Sequence, residues 1–222
     1  MIETDFSIRT FRGGYDDNCT YLVSCMRTGT QFLIDAAISL ERIKSYIHTK
    51  VHAVLITHTH SDHTAYLHEI LNEYPDAKYI GYKNLVHKSP IYEFSPVNDQ
   101  DRIILGKINI DVIYTPGHYP DSICYLMGNI VFTGDTLFVG RTGRTISDNA
   151  STKELYYSVY DKILSLPSNT LIYPGHDYGE KPTISLEDNI KISPLLQAKS
   201  EKDFIERMAN YEANRKQNKR RN

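Results

Sequence analysis

The run Thr57-His58-Thr59-His60-Ser61-Asp62-His63 follows directly on Val51–Ile56, an apolar stretch of strand length. Sheet-end loops are where a rigid scaffold presents functional groups. Residues two apart on an extended segment face the same way, so His58 and His60 can grip one ion together. Asp62 and His63 lie further on and can reach a neighbouring position. Imidazole suits zinc or iron, and a carboxylate adds a hard, charged ligand. A lone histidine is usually a packing residue; three histidines and an aspartate packed this densely point to metal chemistry.

The same pattern recurs downstream. His118 follows the strand-like Ile108–Tyr114 in Tyr114-Thr115-Pro116-Gly117-His118. Asp135 follows Ile130–Thr133, and His176 follows Thr170–Tyr173 through Pro174-Gly175. Each time a strand ends and a metal-ligand residue type comes next, so one convergent site is the economical reading. Glycine before His118 and His176 is expected to let the backbone approach an ion closely.

Further strands are expected over Phe6–Arg12, Thr20–Ser24, Gln31–Ile34, Ala77–Tyr82, Arg102–Leu105 and Ser122–Met127. Helices are expected over Leu40–Thr49, Ala65–Tyr74, Lys153–Leu164 and from Leu186 to about Asn214, interrupted at Pro194. Runs of strands with a few helices between them suggest an α+β fold of two sheets with helices outside.

A chain of 222 residues can bury one sizeable core. Its net charge of −2 does not advertise nucleic acid or an anionic membrane as partner. No apolar run approaches the ~20 residues that span a bilayer, and Met1–Asp5 lacks the start of a signal peptide. Cys19, Cys25 and Cys124 are too sparse for a disulfide framework. They read as reduced thiols, so a cytoplasmic location is expected. His48, His52, His68 and His87 read as packing or surface residues, and Asp177 as an outer group that turns away. The basic tail Asn214–Asn222 reads as a solvated helix end.

His58-x-His60-x-Asp62-His63, with His118, Asp135 and His176, resembles the signature of the metallo-β-lactamase superfamily, and the likeness covers nearly the whole chain up to His176. It implies an αββα sandwich over residues 1–185, with a short C-terminal helical extension over 186–222. In dinuclear members His58, His60 and His118 would hold one metal, Asp62, His63 and His176 the other, with Asp135 bridging. Asp62 and Asp135 would be the carboxylates that take part in the reaction.

Within the superfamily the chain is similar to the glyoxalase II and persulfide dioxygenase branch. Phe132-Thr133-Gly134-Asp135-Thr136-Leu137-Phe138-Val139 resembles the former. Gly143-Arg144-Thr145, Leu155–Val159 and Leu171–Tyr178 resemble the latter, although Ile146-Ser147 departs from the Asp-Phe usual there. The stretch after His176 has room for only two or three helices, fewer than glyoxalase II carries, which favours the dioxygenase.

That resemblance implies glutathione persulfide oxidised to sulfite, with O2 and one Fe(2+) on His58, His118 and Asp135. The alternative is a hydrolase of glutathione thioesters with two Zn(2+). Either takes a glutathione conjugate, whose glycine end Arg144 and Tyr178 would contact. A metal-binding scaffold without turnover is the non-enzyme alternative, and the complete ligand set argues against it. A homodimer is compatible with either activity.

Overall fold

The structure, a computed structural model, describes residues 5–87 and 92–219, with side chains described as far as Arg215. Six strands form the first sheet: β1 (Phe6–Arg12), β2 (Cys19–Cys25), β3 (Gln31–Ile34), β4 (Val51–Leu55), β5 (Lys78–Tyr82) and β6 (Phe94–Val97), in sequence order across the sheet. The second contains β7 (Arg102–Leu105), β8 (Ile108–Tyr114), β9 (Ile123–Met127), β10 (Ile130–Gly134), β13 (Leu171–Pro174) and β14 (Ile184–Ser185). Its order is β14-β13-β10-β9-β8-β7. A small hairpin, β11 (Leu137–Phe138) and β12 (Arg141–Thr142), lies beside it.

Alternation along the strands divides the apolar residues among three layers. Tyr21, Val23, Phe32, Ile34 and Leu55 face Val112, Ile123, Tyr125, Ile130 and Phe132 between the sheets. Their neighbours Leu22, Leu33 and Val54 pack outward, with Ile43 of α1 (Leu40–Ile43) and Leu67, Ile70 and Leu71 of α2 (Leu67–Glu73). On the far side Cys124, Val131 and Ile172 meet Leu155 of α3 (Thr152–Tyr157), Leu186 of α4 (Leu186–Ile192), and Phe204 and Met208 of α5 (Glu201–Lys219). The result is an αββα sandwich.

Strand direction positions the site. β3 and β4 pair in parallel, so the residues that follow them emerge at the same edge. In the second sheet β10 and β13 are parallel, and β8 runs the same way because two antiparallel pairings separate it from β10. All five strands therefore discharge their next loop at one end of the sandwich. There the two sheets are tied together by Ile123 N–H, which donates to the Thr57 carbonyl at 2.8 Å.

Some expectations change. The helix expected over Leu40–Thr49 is α only to Ile43 and then tightens into a 3-10 turn over Lys44–Tyr46. The helix expected over Lys153–Leu164 widens to π geometry over Ser158–Ile163. The edge strand β6 was not anticipated because Pro96 interrupts it. Proline is tolerated there because an edge strand has one unpaired side.

Candidate metal centre

Every residue singled out at the strand ends arrives at this edge. His58 Nε2 lies 3.0 Å from His60 Nδ1, which lies 3.1 Å from His118 Nε2. His176 Nε2 lies 3.4 Å from oxygens of both Asp62 and Asp135. His63 Nε2 is 3.1 Å from Asp135 Oδ1, and His118 Nε2 is 3.5 Å from Asp135 Oδ2. The donor atoms fall into overlapping sets: His58, His60 and His118; His58, His63 and Asp135; Asp62, His63 and His176. Asp135 faces both histidine groups.

Partners on the far side of each ring fix its orientation. His118 Nδ1–H donates to the Arg144 carbonyl and His176 Nδ1–H to the Asp16 carbonyl, both at 2.8 Å. A carbonyl can only accept, so both rings carry a proton on Nδ1 and turn Nε2 inward. Asp35 Oδ2 takes the His63 Nδ1–H at 2.7 Å. The same oxygen accepts from the Thr57 hydroxyl at 2.8 Å, and Thr57 Oγ1 lies 3.2 Å from His58 Nδ1. Because the Thr57 proton goes to Asp35, its oxygen accepts from His58. Such outer partners set the tautomer and basicity of metal-binding imidazoles.

His63 Nε2 and Asp135 Oδ1, 3.1 Å apart, are buried and have no well-formed hydrogen bond among the described residues. Orphaned polar atoms in a low-dielectric setting are costly, and a cation among them would satisfy nitrogens and carboxylates at once. The residues thus fit a metal-binding His/Asp cluster. Electrostatics agree. Burial, with the neighbouring His63, holds His58 well below its usual pKa. Burial and His118 push His60 down to about 4, and burial lowers His118. These rings are neutral, as ligands must be. Burial opposes charge on His63 and His176 too, but the carboxylates outweigh it: Asp135 and Asp35 raise His63, and Asp135 and Asp62 raise His176 to about 9.

The two glycines before histidines do different things. A Cβ on Gly175 would run into Asp135 Oδ1 and His63, so this glycine makes room for those two side chains. Gly117, with φ +132°, instead admits the backbone of Leu155 within α3. Its role is packing, which corrects the expectation of a close approach to an ion.

Arg144 lines the opening beside His118 and Asp135, together with Arg141, Arg215 and Tyr178. Tyr178 stacks on His176, with centroids 4.8 Å apart, and its hydroxyl donates to Asp16 Oδ2 at 2.6 Å. Asp177 turns away to pair with Arg12 at 2.7 Å. Arg215 belongs to the tail read as a solvated helix end, and α5 carries it to the opening; residues 220–222 lie outside the described part.

Other contributors were not foreseen. Asp35 follows β3 directly, the same strand-end signal as its partners, but it stands alone with no histidine nearby in sequence. Asn18 Nδ2 donates to Asp62 Oδ2 at 3.1 Å. Buried Asp121 accepts from the Thr59 hydroxyl and backbone, and so fixes the residue between His58 and His60. Tyr119 packs its ring 4.0 Å from that of His60. Nothing in the sequence pattern marks these three.

Comparison with known proteins gives the same frame. The model of the metallo-beta-lactamase superfamily matches residues 12–176. The crystal structure of ETHE1 from Myxococcus xanthus is similar at TM-score 0.81 and 32% identity, over 92% of this chain and 91% of that one. The probable hydroxyacylglutathione hydrolase glo2 of Schizosaccharomyces pombe is 32% identical over 176 residues, 74% of this chain and 66% of that protein's length. The probable polyketide biosynthesis zinc-dependent hydrolase BaeB of Bacillus velezensis is 26% identical over 89% of both chains. With its fold, its ligand set and these relatives in agreement, the chain belongs to the metallo-β-lactamase superfamily, among neighbours that include ETHE1 and glyoxalase II proteins.

Proposed function

We propose that the chain is a dioxygenase of glutathione persulfide, with one Fe(2+) on His58, His118 and Asp135. The observation that best supports this reading is the end-to-end likeness to the Myxococcus ETHE1, a persulfide dioxygenase, whose length this chain nearly matches. Both oxygen atoms of O2 go to the outer sulfur, and water then releases sulfite and the thiol. Iron on two histidines and a carboxylate supplies open positions for O2 and sulfur when bound. The chain's own residues set up that chemistry. Thr57 and the Arg144 carbonyl hold His58 and His118 with their Nε2 atoms inward, and buried Asp135 stays ionised beside His63 and His176. The arginines at the opening would receive the carboxylates of glutathione. Among the described residues no helix is long and apolar enough to cross a membrane.

A second reading, a dinuclear zinc hydrolase of glutathione thioesters, is favoured by the Asp62, His63 and His176 set, which is as fully prepared as the first. Two metals would supply a lowered water pKa and a Lewis acid for the carbonyl.

Metal content per chain and oxygen uptake on glutathione persulfide, measured for wild type, His118→Ala and His176→Ala, separate the two. The dioxygenase should carry about one iron, lose it in His118→Ala, and keep it in His176→Ala with activity lowered roughly ten- to a hundredfold. Equal metal loss in both variants, with no oxygen uptake by wild type, would overturn the proposal in favour of the hydrolase.

A further inference from the structure

Of the imidazoles at the metal centre, all but His60 have a hydrogen-bond partner behind them. Thr57 stands behind His58 and Asp35 behind His63, and the carbonyls of Arg144 and Asp16 stand behind His118 and His176. His60 is different. Its Nδ1 is turned inward between His58 and His118, and its Nε2 has no hydrogen-bond partner among the described residues. The outer torsion of an imidazole is only broadly restricted, so a half-buried ring bonded on one side needs a further constraint.

Packing supplies it. The Tyr119 ring lies against the His60 ring, with centroids 4.0 Å apart and planes at 45°. Tyr119 is itself 5% exposed, and its hydroxyl lies 3.1 Å from His87 Nε2, in the loop after β5. That loop is fastened to the segment that carries His58 and His60. Asp121, buried just beyond Tyr119, accepts from Val86 N–H at 2.9 Å and from Thr59 N–H at 3.2 Å. His87 N–H donates to Thr59 Oγ1 at 3.1 Å. A buried network with its bonds made holds the chain segments it joins in one arrangement. The loop after β5 supplies none of the inward-facing residues, yet it reaches His60 through Tyr119.

We propose that Tyr119 is the positioning residue of His60: its ring fixes by packing the one imidazole of the centre that no outer hydrogen bond fixes, and His87 holds that ring in place. The role does not depend on which reaction follows. His60 Nδ1 abuts both imidazoles of the proposed iron site, and it belongs equally to the first ligand set of a dinuclear one. Tyrosine suits the task, because it offers a broad flat ring to the imidazole and a polar tip that can be tied at the far end.

The test is chelator competition on the full-length, Co(2+)-loaded protein, read as metal affinity and as the visible bands of the ion, which report its ligand geometry. Tyr119→Leu stays apolar but loses the flat ring, and should weaken Co(2+) by about tenfold or more, with shifted bands. Tyr119→Phe and His87→Ala each remove only the hydroxyl contact and should cost about threefold. Each substitution is repeated beside His60→Ala, which removes the ring acted upon. There none of the three should cost anything further, whereas a merely structural loss would add in full. Unchanged affinity and bands in Tyr119→Leu would overturn the proposal, and so would an equal loss with and without His60→Ala. If Tyr119→Leu does not fold, His87→Ala, at an exposed position, decides on the same two criteria. The readout is the metal alone. Failure here therefore leaves the proposed reaction standing, and absence of persulfide turnover leaves the role of Tyr119 standing.

Discussion

Asp35 carries more of the site than any residue that is not itself aimed at the metal position. It accepts three hydrogen bonds, from Thr57 N–H, the Thr57 hydroxyl and His63 Nδ1, between 2.7 and 2.8 Å, and it is 2% exposed. Its φ of 58° lies in the left-handed region, which Asp tolerates better than most residues. Asp35→Ala strands buried donors on Thr57 and His63 and frees the His63 ring. We expect a loss of about 3 kcal/mol or more in urea unfolding of the metal-free protein. Metal affinity should fall roughly ten- to a hundredfold. A variant with an unchanged midpoint and full metal occupancy would show that Asp35 is not what holds His63. All seven inward-facing residues were legible in the sequence because each sits within a few positions of an apolar strand end. Asn18, Asp121 and Tyr119 were not, because each acts across a fold contact that leaves no local pattern: Asn18 and Asp62 are 44 positions apart, and Thr59 and Asp121 are 62 apart.

Among elements, strands with regular alternation or continuous apolar runs were readable nearly to their ends: β1, β3, β7 and β8 span the expected residues. Elements governed by tertiary contacts were not. β11 and β12 are two residues each, and β6 contains a proline. The π turn in Ser158–Ile163 is invisible in a periodicity that fits an ordinary helix. Ser158 within it donates its hydroxyl to the Pro116 carbonyl at 2.6 Å, which ties this helix to the His118 loop. The N-terminus of α3 is tied to the same loop. Ser151 Oγ accepts from Glu154 N–H at 3.2 Å, and Ser151 N–H donates to the Gly117 carbonyl at 2.8 Å. Only the first bond uses the side chain. Ser151→Ala should therefore cost about 1 kcal/mol of stability, the usual worth of such a cap, while metal content stays at the wild-type level. Loss of metal on that substitution would mean that the cap, and not the backbone bond, sets the position of His118.

For the whole molecule, the two sheets meet at an edge where ionisable groups outnumber the protons available to them, and this should be visible in the pH dependence of the metal-free protein. Burial disfavours charge on His176, but Asp135 and Asp62 raise its pKa from 6.5 to about 9. The folded chain thus holds a proton that the unfolded chain releases across that interval. A raised histidine contributes fully below its unfolded pKa, and the contribution is lost as pH rises through the folded value. Raised His63 acts in the same direction. His60 behaves oppositely: burial and His118 lower it to about 4, so between about 4 and 6.5 the unfolded chain takes up a proton that the folded chain refuses. Stability therefore falls on that side as pH drops. The lowered carboxyls of Asp62 and Asp135 are protonated only at still lower pH, which steepens the acid limb. The urea midpoint of metal-stripped protein should peak near pH 6.5 and decline toward pH 9. A bound cation takes the place of the His176 and His63 protons, so the alkaline decline should vanish in metal-loaded protein. Calorimetry of metal binding near neutral pH, in buffers of different ionisation enthalpy, should show net proton release. A stripped protein that is more stable at pH 9 than at 6.5, or metal binding with no proton release, would show that the carboxylates do not hold His176 and His63 in their charged forms.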